Sequence, residues 1–442
     1  MNLICIGCKQ TMDLTLNQKK SSYKVALLLL ATLFCTYLRV SLLFVYPALV
    51  VTLYYLFNWK LDRNAIFLLG FVLLCWLISF RNGFYLTYNL LSFYYFFPFM
   101  LLLFAVPPKR VNGYNYLRLL MKALTILVIF NNIPGIIQYA VNPGDDNFVG
   151  IYGKFTVSQN GLSVLNAILF FYYFICYQYS RKPIHILLAG FFLICCVMGF
   201  YGAGQMVLIA ALMLTYLKIR VKNIVQLILF TCLTVGVVVL LMKIISPVTL
   251  DYNINIIKIF LIRHGPGAPR KITVFENYFT AYFSHPLDLL FGSGPGTFNS
   301  RSAFMIGSPY YFSLDFIKSD SKPFFFQNYA YPLWNNTNTG PYDGFMNQPF
   351  TSILALLGEY GLLLTGTTIY LILRRFNYYN RLSAVMDKKS NISVEAKMFR
   401  FCTIYAFLLI IIDNYMEYPE IIGILLIIII FSLQQLRKAF NV

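Results

Sequence analysis

The side chains best suited to handling an anion lie between Pro247 and Asn347. Lys258, Arg263, His264, Arg270, Lys271, His285 and Arg301 fall there, beside Glu276, Asp288, Asp315, Asp320 and Asp343. Two of the protein's three histidines are in this stretch. Guanidinium and ammonium groups gathered in this way bind phosphate or carboxylate through charge-assisted hydrogen bonds. The expected role is to cap a site for an anionic, lipid-linked substrate at the outer face of a membrane. The alternative is internal neutralisation by loop carboxylates and by Asp413, Glu417 and Glu420.

Several elements must position these groups. Ile272 to Phe283 carries Phe275, Tyr278, Phe279 and Tyr282 at helical spacing, as an amphipathic helix at a membrane interface would. His285-Pro286 follows, then Gly292-Ser293-Gly294-Pro295-Gly296-Thr297-Phe298, a glycine-dense turn where backbone can approach a ligand closely. Residues 304–346 are rich in Tyr, Phe, Asn and Pro and read as irregular, with aromatic and amide side chains suited to sugar rings. A second polar loop, Asn142 to Ser158, offers an opposite wall of an outward-facing cleft, with Lys154 as a weaker anion ligand.

Composition sets the class. Of 442 residues, 59% are hydrophobic, 18% aromatic and 12% charged, and the mean hydropathy is +0.67; a soluble domain has about 25% charged residues. The chain therefore reads as an all-α integral membrane protein. Taking a span as about 20 apolar residues, twelve are expected, near 25–38, 41–57, 64–80, 84–106, 119–140, 160–179, 184–200, 203–217, 224–246, 348–373, 401–416 and 420–436. The first two share an apolar stretch broken only by Arg39 and could form one long helix. The organisation is an N-terminal bundle over 1–246, a large outer loop over 247–346 and C-terminal spans over 347–442.

The net charge of +19 belongs to topology rather than to nucleic acid, because the basic residues cluster at the ends of apolar runs. With both termini cytoplasmic, most of them fall on the inner side, and outside the large loop only Arg39, Arg81, Lys154 and Lys243 fall on the outer side. The basic loop is then the exception that an anionic partner would explain. None of the nine cysteines lies in that loop, so packing, not disulfides, must order it. Cys5 and Cys8 form a lone C-x-x-C without histidines nearby. No phosphate-binding G-x-x-x-x-G-K-[ST] loop and no metal-ligand cluster occurs, and no cofactor is expected.

From Arg263 onward the chain resembles the O-antigen polymerase and O-antigen ligase superfamily of integral-membrane glycosyltransferases. The resemblance rests on Arg270, the aromatic helix, His285-Pro286-Leu287, the glycine turn, and Asn347-Gln348-Pro349-Phe350 leading to Gly358-Glu359-Tyr360-Gly361. It covers about 100 residues. It implies a metal-independent glycosyl transfer in the bacterial inner membrane, with an undecaprenyl-diphosphate-linked oligosaccharide as substrate. A chain-length regulator and a flippase are the implied partner proteins. Arg270 and Arg263 would stabilise the diphosphate leaving group, and Glu276 or His264 would accept the proton of the attacking hydroxyl. Lys271, His285, Gly294, Gly296, Arg301, Asn347 and Glu359 would contact substrate. Glu359 has a second reading, in which its carboxylate fixes the helix by hydrogen bonding. Two departures stand out. Ligases usually carry histidine where Asn347 stands, which favours a repeat-unit polymerase over a ligase. Many members place an arginine where this chain reads Tyr201-Gly202-Ala203-Gly204-Gln205, so a second arginine must come from elsewhere. The reading from a different class is a carrier that moves the same lipid-linked substrate without chemistry.

Overall fold

The computed structural model describes residues 39–108, 115–142, 147–152, 158–199, 201–216, 224–245, 270–307, 317–335, 351–386 and 393–440, with isolated positions between 247 and 258. Helices account for nearly all of them. The long ones are α1 (Arg39–Phe57), α2 (Arg63–Ser79), α3 (Leu86–Leu103), α4 (Tyr116–Val141), α5 (Ser158–Ser180), α6 (Pro183–Met198), α7 (Gly202–Tyr216) and α8 (Ile224–Ile245). The segment between α8 and the last three long helices adds α9 (Arg270–Phe283), α10 (Pro286–Phe291), α11 (Arg301–Gly307) and α12 (Tyr331–Asn335). The bundle closes with α13 (Ser352–Met386), α14 (Ser393–Ile412) and α15 (Ile424–Phe440).

Six helices among the described residues are long and apolar enough to cross a membrane, and four shorter apolar helices accompany them. Each expected span from the second to the twelfth coincides with a helix, although that does not make every one a crossing. The first, at 25–38, lies outside the described residues, as do Lys154 and the Cys5–Cys8 motif. The helix sequences are apolar around much of their circumference, which suits surroundings of lipid on one side and protein on the other. On α2, for example, Leu68, Val72 and Cys75 are buried, whereas Phe67, Leu73, Leu74 and Leu77 are exposed. Pro47, Pro98 and Pro134 sit inside α1, α3 and α4, where neighbouring helices can take up the freed backbone groups.

Two ends of the bundle are distinguishable. At one, Lys60–Leu61 and Ala105–Val106 form a short antiparallel ladder (β1 and β2). Arg375 donates to the carbonyls of Leu103 and Ala105, and Arg437 to that of Pro107. Arg118 pairs there with Glu395 at 3.3 Å. Asp62 caps α2 by accepting from the Asn64 amide, and Asn115 caps α4. Between the ends, the buried amides of Asn132 (α4) and Asn166 (α5) bond each other at 2.7 Å. At the opposite end α9 packs against α10 and α13. Its Lys271 reaches the last turn of α14, while α10, just beyond its other terminus, is held to the α2–α3 turn by Arg81 and Asn82 bonding Asp288.

Candidate functional site

The glycine turn Gly292–Phe298 is wedged between α3, α13 and α2. Ser293 and Gly294 donate their amides to the carbonyls of Gly358 (2.8 Å) and Glu359 (3.1 Å). Those carbonyls are available because α13 breaks at Gly361, whose φ of +77° ends the first helical segment. A Cβ on Gly361 would lie 2.3 Å from the Leu290 carbonyl oxygen, so only glycine allows the two chains to meet. The turn is also gripped from α3, where Asn89 donates to the Pro295 carbonyl at 2.7 Å.

Glu359 faces back into this turn. Its carboxylate accepts the amides of Gly296 (2.6 Å), Ser300 (2.9 Å) and Phe298 (3.2 Å), and it is wholly buried. Successive backbone amides converging on one carboxylate form an anion nest filled by the protein itself. The hydrogen-bonding reading of Glu359 therefore describes its place here: it holds the turn, and substrate would have to displace packed backbone to reach it. Gly294 and Gly296 are buried as well. Their missing side chains make room for Ser79 and for the Tyr88 carbonyl respectively, so the close approach expected toward a ligand is made to α2 and α3.

A second centre is the turn after α14, Asp413 to Tyr418. Lys271 is buried and donates to the Ile412 carbonyl at 2.6 Å, with Asp413 at 3.7 Å. Burial pushes its ammonium pKa down and Asp413 opposes this. Lys271 is thus committed to the protein rather than offered to a substrate. Arg301 is buried too. Its guanidinium lies 3.9 Å from the Tyr418 ring centre and donates to the Glu417 carbonyl, while its amide bonds the Glu417 carboxylate. Ser352, opening α13, donates its amide to the Asp413 carbonyl and accepts from the Met416 amide, and Asn414 donates to Glu417 at 2.5 Å. The internal-neutralisation alternative thus describes Lys271 with Asp413, and Arg301 beside Glu417.

The other expected residues lie apart. Arg270 opens α9, half-buried, next to Lys271. Glu276 is exposed on the same face as Phe279 and Phe283. His285 lies beyond the far end of α9, about 20 Å from Arg270 at the usual helical rise. Its Nδ1 is 2.9 Å from the Ala281 carbonyl, and its ring packs on Phe324 and Phe325. One ligand group cannot touch both ends of α9, so His285 and Arg270 do not share a site. Arg263, His264 and Asn347 lie outside the described residues. Among those described, no three His, Cys, Asp or Glu side chains are placed to hold a metal ion.

Sequence reasoning treated Asp413 and Glu417 only as counter-charges and passed over Asn414, Tyr418, Ser300 and Ser302. The available signal was the crowding of Asp413, Asn414, Glu417 and Glu420 between two apolar runs. Tyr201, which opens the Tyr201–Gln205 stretch noted above, packs on Tyr415 of this same turn with ring centres 6.1 Å apart. No protein-family model matches the chain, and no curated protein is significantly similar to it.

Proposed function

We propose that the protein is a polymerase of surface polysaccharide. It would join undecaprenyl-diphosphate-linked repeat units at the outer face of the bacterial inner membrane, with both termini cytoplasmic. The observation that supports this reading is the convergence of two arginine-bearing segments on the turn Ile412–Tyr418. The Arg270–Lys271 segment approaches it through Lys271, and Arg301 stacks on Tyr418. Tyr201 meets the same turn through Tyr415. The second arginine in this reading is Arg263.

In the reaction the diphosphate oxygen leaves carbon 1 of the growing glycan as an acceptor hydroxyl of the incoming unit forms the new bond and passes its proton to Glu276 or His264 as base. Arg270 supplies the directional donors that spread the charge on the leaving oxygen. The interlocked glycine turn and Gly358–Gly361 segment serve as the rigid floor. The test is the surface glycan of a deletion strain, resolved on a gel. One repeat unit left on the lipid core supports the polymerase. Complete absence of repeat units instead indicates a ligase or a carrier and rejects it.

A further inference from the structure

We propose that α10 and the adjoining face of α9 are sunk into one leaflet of the membrane, where Phe279, Phe283, Leu287 and Leu290 contact lipid acyl chains. These four large apolar side chains are 50%, 66%, 55% and 37% exposed, so the protein itself does not cover them. Two attachments fix the depth of α10. At the first, Asp288 is bonded by Arg81 and Asn82, and Asn82 ends the stretch Arg63–Asn82, which is long and apolar enough to cross a membrane. The rings of Trp76, Phe80 and Phe84 follow one another edge to face there, with centres 5.3 Å and 5.2 Å apart, and Phe80 and Phe84 are exposed. Aromatic rings gather at this level of a span, where hydrocarbon gives way to headgroups. At the second attachment α10 reaches further in. The Leu290 carbonyl meets Gly361, which lies nine residues beyond Ser352 at the start of α13. That is about 13 Å along the axis, inside the span Ser352–Arg381, and Leu362 beside it is exposed.

The faces of α9 show what covers the apolar surface. Lys271, Val274, Tyr278, Ala281 and Tyr282 are buried against protein. At 3.6 residues per turn the remaining surface divides into two strips. One carries Phe279 and Phe283, whose rings stack at 5.8 Å, and the other carries Thr280 and Ser284, both exposed. Glu276 lies on the border between them. Water on every free side would give no reason to separate these strips, whereas lipid on one and water on the other requires it. The apolar strip also adjoins surface that already suits lipid, because α10 packs on α2 and α13 beside their exposed leucines. Lipid is therefore a better match than a second copy of the chain. The Arg81–Asp288 pair then lies at the edge of the hydrocarbon, where an unpaired charge would be costly, and Asn82 completes its neutralising bonds. This placement rests on exposure and packing, and holds whatever reaction the protein carries out.

Fluorescence quenching in the full-length protein, held in phosphatidylcholine nanodiscs that leave both membrane faces open to water, tests the placement. Phe283→Trp, Leu287→Trp and Thr280→Trp are each measured against the native emission. The light added by Phe283→Trp and Leu287→Trp should be quenched by bromine atoms carried on the acyl chains and spared by iodide in the water. For Thr280→Trp the order should reverse. Iodide quenching of the first two variants as strong as that of Thr280→Trp overturns the proposal, because the apolar strip then faces water. Protection from both quenchers overturns it as well, because protein, such as a second copy of the chain, then covers the strip. If a variant fails to fold, the native protein decides. A carbene generated on a lipid acyl chain should label the segment from Phe279 to Leu290, and absence of that lipid-borne label rejects the proposal.

Discussion

Gly296 and Glu359 are 63 residues apart in the chain, and the amide of one donates to the carboxylate of the other at 2.6 Å in the sealed interior. This bond joins the glycine turn to α13, one of the helices long and apolar enough to cross a membrane. It makes the two most recognisable pieces of sequence in the C-terminal half one mechanical unit.

Loss of that anchor should depend on what replaces it. Glu359→Ala strands three backbone amides in a dry site, at about 1–3 kcal/mol each before relaxation. Glu359→Gln keeps an acceptor oxygen and should cost far less. Thermal unfolding in detergent, followed by tryptophan fluorescence, should therefore rank native, then Gln, then Ala, with Ala well separated. Equal midpoints for the two variants would remove the anchor role.

Gly292 and Gly361 should tolerate no side chain. Each combines positive φ with backbone less than 3 Å from where a Cβ would stand. Alanine at either position should destabilise by at least about 2 kcal/mol. Gly366, with open space around its Cβ position, should accept alanine with little change. The comparison is made in one unfolding series.

Arg270 and Lys271 are neighbours with different predicted behaviour. Lys271→Met removes a buried ammonium together with its bonds to Ile412 and Asp413, so stability should fall while the activity per folded molecule stays near native. Arg270→Lys should leave the protein in the membrane at its normal level and severely impair chain growth, because a point charge does not reproduce the guanidinium fork. Glycan ladders on gels, normalised to membrane protein, separate the two effects.

The pH response of stability follows from Glu417. Its pKa is raised in the folded protein, mainly by burial, so between the ordinary carboxyl range and that raised value the folded state binds more protons than the unfolded one. The stabilisation is complete at acid pH and is lost as the pH rises through the raised pKa. Melting midpoints of native protein should decline on the alkaline side, and Glu417→Gln should flatten that decline.

The Asn132–Asn166 pair offers a double-mutant test inside the bundle. Either residue changed to Leu leaves one amide without its partner and should cost on the order of 1 kcal/mol, whereas the double change should recover part of that loss. Strict additivity would show the amides to be energetically independent.

The helices were legible because long apolar runs between charges have few alternatives in a membrane, and the aromatic spacing over 272–283 gave α9 almost to the residue. The site was legible only in pieces. Glycines in Gly292–Gly296 announce close approach, yet the approaching partner, whether ligand or protein, is set by a segment about 60 residues later. Likewise Lys271 and Arg301 read as ligands for an anionic substrate because nothing local shows that the turn after α14 meets them. Arg81 read as a topological exception, and it is in fact tied to Asp288 of α10. Pairings of this kind depend on which helix tops become neighbours, and hydropathy does not encode that.

The break at Gly361 bears on how the chain is assembled. A helix entering a bilayer with two carbonyls lacking intrahelical partners is a poor insertion substrate, since nothing in hydrocarbon can satisfy them. Here the amides that fill those positions, from Ser293 and Gly294, are synthesised earlier than the helix itself. The order of elements along the polypeptide lets the receiving segment be in place before α13 arrives, so that docking and insertion of the last three helices can proceed as one step.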